Sequence, residues 1–188
     1  MSDLRSAPVP SLRADDHVRG PAGAPLVVVY GDIACPRCAV AHARLRELGD
    51  DVRVAFRHLA LRAKHPRALA LAHAAEAAGA QGAFWPFHDA LYDDPGRVDD
   101  PHLWARCERL GLDVERFEAD RRSAGVAERV RRDVREALRA GATGTPALWI
   151  AEEAGDLPAR LVRFGFRDIK TMSSRTDARA EKGQPHEQ

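Results

Sequence analysis

The chain has 188 residues, enough for one domain or for one domain with an insertion. Its 29 Lys and Arg residues oppose 28 Asp and Glu residues, so the formal net charge is only +1. This balance excludes neither binding nor catalysis, but it argues against a dedicated nucleic-acid binder or a basic membrane-surface module. The longest apolar run, residues 26–30, is far shorter than the about 20 residues that cross a bilayer, so we expect no membrane span.

The first 24 residues predict a flexible lead. Residues 1–20 mix charged side chains with Pro8 and Pro10, and prolines and glycines interrupt any periodicity up to residue 24. The same stretch has no apolar core of the kind that a secretory signal needs. The expectation from this pattern is a cytoplasmic protein.

Residues 25–65 predict a β-α-β unit. The run Leu26–Tyr30 is typical of a strand buried on both faces, and the alternating residues 52–56 predict a second strand. Between them we expect a helix from about Cys35 to Gly49, with Val40, Leu45 and Leu48 on its apolar face. Such a unit is expected to be parallel and right-handed.

Residues 66–124 predict a helical insertion, and residues 125–166 a return to the sheet domain. Four helices are expected within the insertion, at 66–79, 84–92, 99–111 and 113–117. A fifth has apolar residues at strict four-residue spacing, namely Val126, Val130, Val134 and Leu138. Strands at 147–150 and 161–166 follow it. The fold class is therefore α/β with an inserted all-helical domain.

Two of the three cysteines form the motif Cys35-Pro36-Arg37-Cys38. A zinc site would need two further ligands, and the best available pair is His102 with Cys107. Because Cys107 continues the apolar stripe of a predicted helix, we interpret it as a core residue and expect no metal site.

A redox dithiol fits the position of the motif better. The first turn of a helix favours an anion, and Arg37 adds a positive charge, so the pKa of the Cys35 thiol should be lowered. Pro36 suits the first helical position. Cys38 lies one turn further on, where it could attack a mixed disulfide at Cys35.

Three other positions are candidates around the dithiol. Asp32 precedes Cys35 by three residues and should cap the turn or modulate the pKa, with capping the preferred reading. His58 follows the second strand and could approach the sulfurs. In Gly144-Thr145-Pro146, the proline either simply starts a strand or forms a cis Thr–Pro bond that presents backbone to a peptide.

Together these motifs resemble the DsbA-like thiol:disulfide oxidoreductases of the thioredoxin superfamily. In family order, over about residues 16–150, they are Asp16-His17-Val18-Arg19-Gly20-Pro21, Tyr30-Gly31-Asp32, Cys35-Pro36-Arg37-Cys38, Phe56-Arg57-His58-Leu59, Ala74-Ala75-Glu76-Ala77-Ala78, Phe84-Trp85 with His88-Asp89 and Leu91, Leu110-Gly111-Leu112-Asp113, and Gly144-Thr145-Pro146. Family members are often exported, and similar domains also occur fused to sodium/proton antiporters.

The resemblance implies a thioredoxin fold interrupted by helices and an exchange of disulfides with protein cysteines. Cys35 would be the exposed nucleophile and Cys38 the resolving thiol. Pro146 would be cis beside the dithiol, and Thr145 would lend its backbone to the substrate. The implied partners are protein thiols or disulfides and an unidentified redox partner. Apart from the Cys35–Cys38 disulfide itself, no cofactor is implied.

The chain departs from the family pattern at two places. Val29 stands six residues before the first cysteine, where the family commonly has a buried acid that accepts a proton. The polar residues 167–188 carry no apolar stripe, which predicts a disordered tail and no C-terminal closing helix.

Two alternative functions remain open at the level of sequence. One is a glutathione-dependent isomerase or transferase of the related thioredoxin group, although such enzymes typically do not need a residue such as Cys38. The other is a non-catalytic thioredoxin-like module that binds a partner in the groove beside Pro146.

Overall fold

A computed structural model of the chain describes residues 12–150 and the backbone of residues 160–162. Three predictions concern residues outside this range. They are the disordered tail at 167–188, the lack of a closing helix and the part of the last strand after residue 162. The start of the predicted lead, residues 1–11, also lies outside it.

Five strands and six α-helices make up the described part of the chain. The strands are β1 (His17–Arg19), β2 (Leu26–Gly31), β3 (Arg53–His58), β4 (Ala147–Ile150) and β5 (Arg160–Val162). The helices are α1 (Pro36–Glu47), α2 (Ala68–Gly79), α3 (Phe84–Asp93), α4 (Asp100–Arg109), α5 (Val114–Asp120) and α6 (Ala124–Arg139). Helices α2 to α5 occupy the chain between β3 and α6, where the sequence predicts the insertion. Among residues 12–150, no helix combines the length and apolar character that crossing a bilayer requires.

The strands form one sheet in the order β1-β3-β2-β4-β5. Strand β2 runs parallel to β3, which confirms the predicted β-α-β unit, and antiparallel to β4. Because β4 pairs with β2, the residues just before β4 reach the edge of the sheet where β2 ends and α1 begins. The order of the strands therefore brings two distant chain segments to one place.

The prediction of a flexible lead up to residue 24 is wrong for residues 12–24. Strand β1 pairs antiparallel with β3. The side chains of Asp16 and Arg57 are both fully buried, with 2.6 Å between Asp16 Oδ2 and an Arg57 nitrogen. Gly20 closes the strand with φ of 93°, and a Cβ there would lie 2.3 Å from the Val52 carbonyl oxygen. The reason for the error is that ion pairs and strand pairing with distant residues hold this segment, and no local pattern in the sequence shows such contacts.

Strand β2 is buried throughout, as its apolar run predicts. Val27 and Val29 belong to a core cluster that also contains both cysteines of the motif and reaches into the helical insertion. Val28 and Tyr30 belong to a second cluster, which includes Ala137 of α6. Alternate side chains of one strand thus join two cores on opposite faces of the sheet.

The predicted apolar faces of α1 and α6 are partly wrong. Val40 is 40% exposed and Leu138 is 58% exposed. A residue every four positions drifts around a helix of 3.6 residues per turn, so a strict four-residue stripe cannot stay on one face. The buried side of α6 instead includes Asp133, which accepts a hydrogen bond from the His58 backbone N–H at 3.0 Å.

Candidate active site

The dithiol lies where β2 leads into α1. Cys35 is the N-cap residue, with extended backbone (φ −91°, ψ 120°), and Pro36 occupies the start of the helix. Cys38 is in the first turn, and its backbone N–H donates to the Cys35 carbonyl at 2.9 Å. The two cysteines are present as free thiols. The placement follows the sequence-based prediction closely, because a cap and a first-turn proline are local properties.

The loop before β4 closes over the sulfurs. The Thr145–Pro146 peptide bond is cis. Cys35 Sγ lies 3.8 Å from the Thr145 carbonyl oxygen, across 110 residues of sequence. The pairing of Tyr30 with Ala147 in the sheet fixes this approach.

The pKa of the Cys35 thiol is lowered to about 5. The largest cause is the hydrogen bond from the Cys38 thiol, which stabilises the thiolate against the opposing effect of burial. The Thr145 side chain and the backbone N–H groups of Arg37 and Cys38 also lower the pKa by hydrogen bonding. Cys35 is therefore a thiolate at neutral pH while Cys38 stays protonated.

One detail of the predicted site needs correction. Cys35 is 6% exposed, so it is not the exposed nucleophile that the resemblance implies. Pro36 and Arg37 are exposed beside it. The backbone N–H of Arg37 is one of the groups that lower the pKa of Cys35.

Cys38 is the buried partner, at 3% exposed. Its pKa is raised, first by the hydrogen bond that it gives to Cys35 and then by burial. The Asp32 backbone N–H donates to Cys38 Sγ at 3.4 Å. Tyr92 closes the same side, and its hydroxyl donates to the Asp32 carbonyl at 3.2 Å.

Asp32 caps the turn as predicted. Its Oδ1 accepts a hydrogen bond from the Ala34 backbone N–H at 2.9 Å. Its Oδ2 accepts from the Leu61 backbone N–H at 3.0 Å and lies 2.8 Å from His65 Nδ1. The side chain is buried, so one carboxylate joins the active-site turn to the loop that follows β3.

His58 does not face the dithiol in the way that the sequence suggests. Its Nε2 lies 2.9 Å from Glu76 Oε1, and Glu76 is also 2.9 Å from His17 Nε2. Arg129 pairs with the second oxygen of Glu76 at 2.6 Å. This buried network joins β1, β3 and two helices, and the His58 ring is part of it.

Val29 lies beside Cys38 and lines a small cavity with it. The cavity is just large enough for one water molecule. It is also lined by two buried histidines, His42 and His88, together with Arg19. No acid stands at position 29, and the polar side chains that line the cavity come from α1, α3 and β1.

Sequence reasoning missed the cluster of His42, His88 and Asp89. Their ligating atoms lie within 4.8 Å of one another, close enough to hold a metal ion. Arg19 already pairs with both oxygens of Asp89, at 3.0 and 3.1 Å, so a dication would have to displace a guanidinium. In the sequence, only the adjacent pair His88-Asp89 indicated this cluster, because His42 comes close to the pair only in the folded chain.

Cys107 is fully buried in the core, as predicted.

Taken together, the described residues define a thioredoxin-type sheet with inserted helices, a dithiol at a helix N-terminus and a cis-proline loop opposite. The model of the family described as "DSBA-like thioredoxin domain" matches residues 63–176, about three fifths of the chain. The chain belongs to this family. The family match begins after the dithiol, so the roles of the two cysteines rest on their geometry.

Solved structures show the same fold. A thioredoxin-like oxidoreductase from Silicibacter pomeroyi is 26% identical, with a TM-score of 0.70 over 92% of this chain and 95% of that one. DsbA2 from Pseudomonas aeruginosa is 27% identical, with a TM-score of 0.69 over 94% of this chain and 100% of that one. Both are similar over nearly their whole length. The predicted fold class is confirmed.

Curated relatives match over a shorter share of their length. The Na(+)/H(+) antiporter NhaA 1 of Salinispora arenicola is 46% identical over 142 residues, which cover 72% of this chain. The same residues cover 21% of that protein, so this chain spans about a fifth of the length of the curated relatives it matches.

Proposed function

We propose that the chain exchanges disulfides with protein cysteines through a mixed disulfide at Cys35 that Cys38 resolves. The observation that carries this proposal is the asymmetry of the two thiols. The pKa of Cys35 is lowered to about 5, whereas the pKa of Cys38 is raised. At neutral pH the Cys35 sulfur is a thiolate that can attack a disulfide. The Cys38 sulfur stays protonated and lies close enough to Cys35 to react in the second step.

The first step joins the protein to its client. The Cys35 thiolate attacks one sulfur of a client disulfide, and the S–S bond of the client breaks. The other client sulfur leaves with the electron pair and takes a proton from water. The Thr145 backbone beside Pro146 would position the client backbone, in keeping with the 3.8 Å approach of this loop to Cys35.

The second step releases the client. In the mixed disulfide Cys35 carries no charge, so the hydrogen bond and the repulsion that raise the pKa of Cys38 are both removed. Cys38 then gives its proton to water and attacks Cys35 Sγ, and the remaining client sulfur leaves as a thiolate. The client gains two electrons, and the protein is left with a Cys35–Cys38 disulfide. No other cofactor enters the balance.

The same steps run backwards when the Cys35–Cys38 disulfide oxidises a client dithiol. A stabilised thiolate favours the reduced protein and therefore makes its disulfide the stronger oxidant. A reducing compartment would keep the dithiol reduced and direct the reaction towards client reduction, and an oxidising compartment would do the reverse.

We propose that two separate stretches of the chain form one thioredoxin-like domain. These are residues 25–65 and 125–166, and residues 66–124 would form the helical insertion. Support comes from the contact of α6 with β3, seen in the bond from His58 N–H to Asp133. Tyr92 of the insertion touches the active-site turn, so the insertion supports the dithiol without supplying a sulfur.

To test the proposal, two activities of the purified full chain are measured: reduction of insulin and refolding of scrambled ribonuclease. We expect activity in at least one assay, and trapping of a client on Cys35 in the Cys38→Ser variant. A Cys35→Ser variant is the matched control and should trap nothing. No activity and no trapped complex, with both thiols titratable, would overturn the proposal in favour of a binding module. Full activity of Cys38→Ser with glutathione would support a glutathione-dependent enzyme instead.

A further inference from the structure

The loop that follows β3 borders the dithiol. Parallel strands β2 and β3 end at the same edge of the sheet, so the turn carrying Cys35 and residues 59–65 lie side by side. The Leu59 backbone N–H donates to the Gly31 carbonyl at 2.8 Å. The Asp32 carboxylate then joins both segments by accepting from the N–H groups of Ala34 and Leu61.

The loop is held in a fixed shape. The backbone N–H groups of Lys64 and His65 both donate to the Leu61 carbonyl, at 2.8 and 2.9 Å. The His65 side chain lies against Asp32, with Nδ1 2.8 Å from Oδ2. A loop anchored in this way presents its outward side chains in a constant position next to the active-site turn.

The exposed side chains around this edge are basic. Arg62 and Lys64 are exposed on the loop, and Arg37 is exposed beside Cys35. Within the described residues, the structure pairs none of the three with a carboxylate, whereas Arg67 is already paired with Asp100 at 3.1 Å. We call Arg37, Arg62 and Lys64 the cationic rim.

The three chain segments that meet at this end of the sheet contain no Asp or Glu. They are residues 33–40 after β2, residues 59–67 after β3 and residues 139–146 before β4. The nearby acid Asp32 is buried and its oxygens are occupied. Three positive charges without a carboxylate partner among the described residues therefore lie at this end of the sheet, although the net charge of the whole chain is only +1.

We propose that the cationic rim selects client proteins whose reactive cysteine is flanked by Asp or Glu. This inference rests on the proposed function and adds the class of client to it. An acidic segment crossing the dithiol would meet three charges that have no carboxylate partner among the described residues. Charges of this kind accelerate the encounter of oppositely charged partners, and salt weakens the effect.

The experiment uses disulfide-linked dimers of three short peptides that differ only beside one cysteine, with Glu, Gln or Lys at the flanking positions. Reduction by the fully reduced full chain is followed after acid quenching. Each rate is divided by the rate with dithiothreitol, because flanking charges also change the intrinsic reactivity of the peptide disulfide. We expect the Glu peptide to exceed the Gln peptide by about tenfold at low ionic strength, and by less than about twofold in 0.5 M salt.

Two double variants that lose the same charge distinguish the effect of the cationic rim on the rate from the effect of net charge. Arg62→Gln with Lys64→Gln should remove most of the preference for the Glu peptide, while the rate with the Gln peptide stays unchanged. Arg97→Gln with Arg131→Gln removes the same charge from exposed sites outside the rim and should keep the preference. Equal normalised rates for all three peptides, or an equal loss in both variants, would overturn the rim proposal while leaving the exchange activity in place. No exchange with any peptide would overturn the proposed function and this inference with it.

Discussion

Cys35 Sγ and the carbonyl oxygen of Thr145 lie 3.8 Å apart, although 110 residues separate them in the chain. The contact joins the start of α1 to the loop before β4. The Thr145 side chain also hydrogen-bonds to Cys35 and lowers its pKa. A single residue thus places its backbone carbonyl beside the sulfur and supplies part of the stabilisation of the thiolate.

Replacement of Thr145 by Val should raise the pKa of Cys35. A hydrogen bond to a charged group is worth about 1.5 kcal/mol, which corresponds to a rise of roughly one pH unit. The pH dependence of alkylation of the reduced protein by iodoacetamide gives the midpoint. Thr143→Val, at an exposed position of the same loop, is the control and should leave the midpoint near 5. An unchanged midpoint in Thr145→Val would contradict this role of the side chain.

The stability of the reduced protein should rise with pH relative to that of the oxidised protein. The folded-state pKa of Cys35, about 5, lies below the ordinary value of 9.0. The thiolate therefore contributes stability that is fully present above pH 9 and is lost as pH falls towards 5. Between these limits the slope is about 1.4 kcal/mol per pH unit. Cys38 has a raised pKa, so its contribution changes only above pH 9.

Urea unfolding of the reduced and oxidised proteins from pH 5.5 to 8.5 measures this difference. The Cys35→Ser variant should show none of the rise that we assign to the Cys35 thiolate. Parallel pH profiles for the reduced and oxidised wild-type proteins would be inconsistent with a low Cys35 pKa.

Loss of the Asp32 carboxylate should destabilise the fold. Asp32→Ala leaves the backbone N–H groups of Ala34 and Leu61 without their acceptor. We expect a loss of about 2–3 kcal/mol in the free energy of unfolding, since each unpaired buried donor costs about 1 kcal/mol or more. Asp32→Asn keeps an amide oxygen and should lose less. Asp50→Ala, at an exposed position, should stay within about 0.5 kcal/mol of the wild type.

The ion pair between Asp16 and Arg57 should contribute strongly to stability. Asp16→Ala removes the carboxylate that lies 2.6 Å from the buried Arg57 guanidinium and leaves the more distant Glu136 at 3.9 Å, a change that should cost about 3 kcal/mol. Asp15→Ala is the neighbouring control, and its half-exposed ion pairs with Arg129 and Arg132 should contribute less than about 1 kcal/mol. Urea unfolding of both variants provides the comparison. Similar losses would mean that the segment before β1 is not held by this buried pair.

Low pH should weaken the ion pair between Asp16 and Arg57. The pKa of Asp16 is lowered from 3.8 by the hydrogen bond from Arg57, in spite of burial. Its contribution is therefore present above pH 4 and is lost as pH falls through the lower folded-state value. Unfolding measured between pH 5 and pH 2 should show the wild type approaching Asp16→Ala. A constant difference between the two proteins over this range would contradict this assignment.

Local patterns in the sequence predict much of the fold. The apolar run of β2 predicts a strand buried on both faces, and Asp99 predicts the start of α4, where its side chain accepts from the His102 N–H. Position relative to β2 and α1 likewise identifies Cys35 and Cys38. These inferences succeed because caps, turns and apolar periodicity depend on neighbours in the chain.

Predictions that depended on distant contacts failed. Residues 12–24 look like a flexible lead because their ordering depends on Arg57 and on residues of α6, which no local pattern connects to them. His58 looks like a candidate at the dithiol because it follows a strand, yet its ring reaches Glu76. In both cases a buried polar side chain pairs with a residue that is distant in the sequence, Asp16 with Arg57 and His58 with Glu76.

The sequence by itself determined the dithiol, its place at a helix N-terminus and the sheet that carries it, because each follows from residues close together in the chain. The tertiary structure alone decided which atoms lower the Cys35 pKa. It also decided which positive charges at the end of the sheet near the sulfur have no carboxylate partner among the described residues. Hydrogen bonds and ion pairs act over a few ångströms, and folding brings residues as far apart as Cys35 and Thr145 within that range.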